Sequence, residues 1–148
     1  MELALYFHLL AATAWIGGSL FLFALGIFLK DKNAQKNVYE HIGPLYGYFE
    51  SVWLAVLIAT GTYMFMGHGL IEVLREAPDS QLAHLAWMKI SLVAAITLFT
   101  VIHMYIAFKT HKKERSKTEL ILSRGSSMMI FILNLIILWY AAELRTVL

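Results

Sequence analysis

The 148-residue chain has no cysteine and only two prolines, and just 15% of its residues are charged. Without cysteine there is no disulfide scaffold, no iron–sulfur cluster and no thiolate metal site. A soluble domain carries about a quarter of its residues as charges, so this scarcity excludes a soluble globular fold. The 59% hydrophobic content excludes a disordered chain. Also missing are a glycine-rich phosphate loop, an H-E-x-x-H pair and a Ser-His-Asp set at a common depth. Acid–base and nucleophilic enzymes therefore find little to work with.

What is abundant is unbroken apolar sequence. Leu3–Leu29, Ser51–Ile71, Ile90–Phe108 and Gly125–Ala142 contain no Asp, Glu, Lys or Arg and run for 27, 21, 19 and 18 residues. At 1.5 Å per residue, about 20 residues cross a bilayer core of roughly 30 Å. The composition is helical, without the period-2 alternation of a barrel strand. The expectation is an all-α fold: a four-transmembrane-helix antiparallel bundle forming one integral membrane domain over 1–148. Its helices are expected at 3–29, 46–68, 85–108 and 124–143. The first run lacks a basic start and carries Glu2, so it reads as a retained helix rather than a cleavable signal peptide.

Cation placement orients the bundle. Lys30, Lys32, Lys36, Lys109, Lys112, Lys113, Arg115, Lys117 and Arg124 lie at one end, against Arg75 and Arg145 at the other. This places both termini outside and the basic loops in the cytoplasm of a multi-pass inner-membrane protein. The run Lys109–Lys117 is suited to anionic lipid and too short for nucleic acid. Trp87, Trp139 and Tyr140 sit where aromatic belts form. A homo-oligomer, or a partner in the membrane or periplasm, is compatible with this layout.

Polar residues inside membrane helices mark function or close packing. At 100° per residue, four stripes emerge: His8, Ala12, Trp15, Ser19, Gly26; Glu50, Leu57, Gly61, Met64, His68; Lys89, Ile96, Thr100, His103, Ala107; and Ser123, Ser127, Asn134, Ala141. They are expected to face the bundle interior. Depth divides them into two layers. The outer layer holds His8, Met64, His68 and Lys89, with His84 and Met88 nearby. The inner layer holds Glu50, His103 and Ser127, with Arg124 adjacent.

Imidazole and thioether suit Cu(I). Met64/His68 and His84/Met88 each repeat an i, i+4 spacing, and His8 lies at a similar depth. The bland readings are packing methionines, solvated His68 and His84, a helix-bridging hydrogen bond from His8, a snorkelling Lys89, and a Glu50–His103 hydrogen-bonded pair. As an alternative, His8 with Lys89 or His103 can ligate haem iron, a lysine ligand requiring its neutral amine.

The run His8-Leu9-Leu10-Ala11-Ala12-Thr13-Ala14-Trp15-Ile16-Gly17-Gly18 resembles the first helix of the copper-resistance D (CopD)-like membrane proteins. Trp53–Tyr63, an aliphatic run ending in Thr60-Gly61-Thr62-Tyr63, resembles their second helix, and Trp87-Met88-Lys89 with His103 their third. The pattern is shared with the HemJ-type protoporphyrinogen oxidases, which bind haem b. That relation would carry a first-helix histidine onto His8 and a third-helix lysine onto Lys89. Two HemJ features are absent. Leu20–Gly26 has no Pro-Arg, and Asn134 is followed by Leu135 rather than Glu. The leading expectation is therefore a CopD-like protein that binds or passes copper. His8, Met64, His68, His84 and Met88 would form an outer site, and Glu50 and His103 an inner one. The alternatives are a b-type haem redox protein (His8, Lys89, His103) and a non-catalytic membrane scaffold.

Overall fold

A computed structural model describes residues 1–148, and the chain is helical almost throughout. Its elements are α1 (Glu2–Phe28), α2 (Lys32–Gly67), a short α3 (Leu70–Glu76), α4 (Gln81–Lys109) and α5 (Lys117–Val147). The four long helices are each long and apolar enough to cross a membrane. Much of their large apolar surface is exposed, Phe21, Phe28, Leu98, Val101 and Trp139 among it, as suits helices solvated by lipid. Trp87 and Trp139 both point outward.

The chain folds as two antiparallel hairpins, α1/α2 and α4/α5. Residues 29–31 join the first pair. Gln35 Nε2 donates to the Gly26 carbonyl at 3.0 Å, and Tyr39 hydroxyl to the Leu22 carbonyl at 3.4 Å. At the opposite end Met1 lies against Gly67. α2 is thus held to α1 at both ends although it has 36 residues against 27. It must run obliquely or bend, and Pro44, which removes one internal hydrogen bond, lies within it. The hairpins meet at a core of Trp15 and Ile16 (α1), Ile96 (α4), and Ile130 and Leu133 (α5), packed on by Trp53, Leu54 and Leu57 of α2.

The helices run further than the apolar segments alone predict. α2 begins at Lys32 rather than 46, because the Asp31 carboxylate caps it through the amides of Asn33 (2.9 Å) and Ala34 (3.4 Å). α4 starts at Gln81, capped by Ser80. α5 starts at Lys117 behind a reciprocal capping box of Ser116 and Glu119. A hydropathy reading stops at the first charge, whereas a helix continues until its end groups are satisfied in water. α3, in the connection between α2 and α4, buries Leu70.

Candidate functional site

The polar stripes turn inward as expected at Trp15, Glu50, Thr100, Ser123 and Asn134, all buried. His68 and His84 are exposed, and Arg124 is exposed as well. Nowhere do three or more histidine or carboxylate side chains converge.

His8 is the best-held polar group of the outer layer. Its Nδ1 lies 2.9 Å from Thr60 Oγ1 across the α1/α2 contact. The Thr60 hydroxyl proton goes to the Val56 carbonyl at 2.6 Å. With that proton committed, Thr60 accepts, and the hydrogen-bond network assigns the hydrogen of His8 to Nδ1. His8 Nε2 then keeps its lone pair free. The ring rests on Gly61, where a Cβ would lie 3.1 Å from His8 Cε1, so the absence of a side chain at 61 is what admits the imidazole. Met64 is one turn beyond Thr60 on the same face. Lys89 of α4 stands within electrostatic reach of His8, half-buried. It has no ion-pair partner in the chain, where Lys109–Glu119 is the salt bridge formed. Met88 is half-buried beside it.

His103 repeats the arrangement at the other end. Its Nδ1 lies 3.1 Å from the Ser123 carbonyl and 3.2 Å from Ser126 Oγ. A carbonyl only accepts, so Nδ1 again carries the hydrogen and Nε2 is free. The expected hydrogen-bonded pair with Glu50 does not form, because the α5 oxygens hold the ring. Glu50 is 5% exposed and stands one turn from Tyr46 on α2. Behind His103, Arg115 Nη1 donates to Ser123 Oγ at 2.9 Å and Arg115 Nε to Thr110 Oγ1 at 2.8 Å. Arg115, rather than Arg124, is thus the cation of the inner layer.

Four buried polar atoms lack partners: Trp15 Nε1, Tyr46 hydroxyl, and both amide atoms of Asn134. Asn134 is 0% exposed. Such orphans are costly, more so away from water. The Tyr46 ring is pressed against α1, where a Cβ at Gly18 would lie 2.8 Å from Tyr46 Cε2. Sequence reading missed Thr60, Tyr46 and Arg115 as site residues. The signal for Thr60 was available, since it stands one turn before Met64 on the stripe that carries Gly61.

No family model matches the chain, and no solved structure matches it. A protein of Aquifex aeolicus (strain VF5), described as uncharacterized, is 40% identical over 74 residues, 45% of this chain and 50% of the relative. The chain therefore spans about half the length of that relative.

Proposed function

We propose that this multi-pass membrane protein carries a b-type haem, with His8 as an iron ligand through Nε2. The observation that carries the reading is the His8–Thr60 bond. It holds the hydrogen on Nδ1, presents Nε2, and is the kind of outer contact that metal-bound imidazoles have. Three features favour haem over the copper expectation. Lys89, within electrostatic reach of His8 and without a counter-ion in the chain, opposes Cu(I) and suits an anionic propionate. His68 and His84, needed for the outer copper site, face outward. The unpartnered Trp15 Nε1 and Asn134 carboxamide supply interior polar atoms for a large ligand with polar edges. When bound, haem supplies one-electron redox chemistry at its iron. The chain's own part is to orient the imidazole through Thr60 and Gly61 and to balance charge through Lys89. His103, with its own free Nε2, is a ligand candidate at the other depth. The part of the resemblance shared with the HemJ-type proteins, at His8 and Lys89, supports the same reading, and we place the protein in a bacterial inner membrane with both termini outside; the CopD-like part is the support for copper.

Copper binding by His8 with Met64 is the second reading, favoured by Met64 standing on α2 one turn beyond Thr60, which His8 contacts, and by the half-buried position of both. Absorption spectra of detergent-purified protein from haem-replete cells, oxidised and then dithionite-reduced, test the proposal. The expected result is a Soret band with sharpened α and β bands on reduction, lost in His8→Ala. A featureless visible spectrum from the parent protein overturns it, and copper titration of His8→Ala against parent then decides the second reading.

A further inference from the structure

At the basic end of the second hairpin an open groove of about 330 Å³ runs between α4 and α5. Its apolar walls include Val101, Tyr105, Ile106 and Leu122, and its mouth holds Lys109 and Glu119. Val101 and Tyr105 are 58% and 65% exposed, so the groove opens sideways into the zone that lipid occupies. Lys109 Nζ lies 5.9 Å above the Tyr105 ring and 3.8 Å from Glu119 Oε2, a long ion pair whose lysine is exposed and whose glutamate is half-buried. The adjoining loop turns through Lys112, whose φ of 56° is the one positive φ at a residue other than glycine. A glycine there would avoid the steric cost of a left-handed Cβ, yet a cation occupies the position. Lys113, Arg115 and Lys117 follow within five residues, with Glu114 the one acid among them. Arg115 is fixed by its bonds to Thr110 and Ser123.

We propose that this groove is a binding site for one anionic phospholipid, an acyl chain lying along Val101–Leu122 and the phosphate meeting Lys109 and Lys112. The charge complementarity is specific to this end of the hairpin: Lys109, at the groove, opens a run of sequence that continues through Lys112, Lys113, Arg115 and Lys117 at headgroup level. The inference is independent of the haem reading and concerns a surface away from His8.

Protein in mild detergent, titrated with phosphatidylglycerol or phosphatidylcholine of matched chains and read by native mass spectrometry, tests it. Phosphatidylglycerol is expected to be retained preferentially as a single adduct. Lys109→Gln and Lys112→Gly are each expected to weaken that retention about fivefold. Lys32→Gln, a cation at the same end of the molecule but on α2, is expected to leave it unchanged. Lys112→Gly separates binding from structure, because it relieves backbone strain: a purely structural role predicts a more stable protein with unaltered retention. Equal retention of the two lipids, unaltered retention in Lys109→Gln or Lys112→Gly, or displacement of the lipid by inorganic phosphate alone overturns the proposal.

Discussion

Replacing Thr60 by valine keeps the shape of the side chain and removes the oxygen on which His8 Nδ1 rests. The consequences for stability and for ligand binding differ in size. A hydrogen bond between membrane helices averages about 0.6 kcal/mol, and a buried donor left without a partner costs about 1–3 kcal/mol. His8 is half-buried, so the loss of folding stability belongs near the lower end, about 1 kcal/mol. The effect on a metal ligand is larger. Removing the group that orients a ligating imidazole lowers affinity by about 10–100-fold, equivalent to about 1.4–2.8 kcal/mol. The freed ring can also take the other tautomer, which places its hydrogen on the nitrogen that, on the proposed reading, would meet iron. Haem titration into the apo-protein, followed at the Soret band, is therefore expected to show a greater deficit than unfolding in sodium dodecyl sulfate. A variant destabilised by about 1 kcal/mol but with unaltered haem affinity refutes the reasoning, since the bond would then serve only to join two helices.

Gly18→Ala drives a methyl into the body of the Tyr46 ring. Overpacking of this kind costs about 1–3 kcal/mol, measurable by detergent-mediated unfolding, and an unchanged midpoint would contradict the close approach. Asn134→Leu removes two buried polar atoms that lack partners and is expected to raise the stability of the ligand-free protein by about 1 kcal/mol while lowering haem content; a loss of stability would mean that Asn134 has a partner within the chain. Ser116→Ala removes the cap of α5, worth about 1 kcal/mol, and should speed hydrogen exchange at the Glu119 amide, with unaltered protection counting against the cap.

The transmembrane architecture was legible because each apolar run matches the bilayer in length and the cations fall between runs. The inward stripes were legible too, since Trp15, Glu50, Thr100, Ser123 and Asn134 follow from helical period alone. Pairing was not. Periodicity placed His103 on the interior face, but only the meeting of α4 with α5 reveals that Ser123 and Ser126 hold it rather than Glu50. Likewise His68 shares a face with Met64, yet it caps the end of α2, where that face has run out of neighbours. The ends of α2 and α5 carried readable signals in Asp31 and in Ser116 with Glu119. A search for apolar windows passes over them because capping chemistry is polar.

The division into two hairpins has a consequence for assembly in the bilayer. Each hairpin ties its own helices together locally, through His8–Thr60 and Gln35–Gly26 in the first and through His103–Ser126 in the second. Each can therefore be threaded into the membrane and zipped up as a unit while the chain is still emerging. If the hairpins insert in that way, the join between the halves closes after them, and its residues, Trp15, Ile96, Ile130 and Leu133, come from segments far apart in sequence. Until that closure Trp15 and Asn134 border hydrocarbon, so the half-made protein exposes its least satisfied atoms to the solvent that tolerates them least.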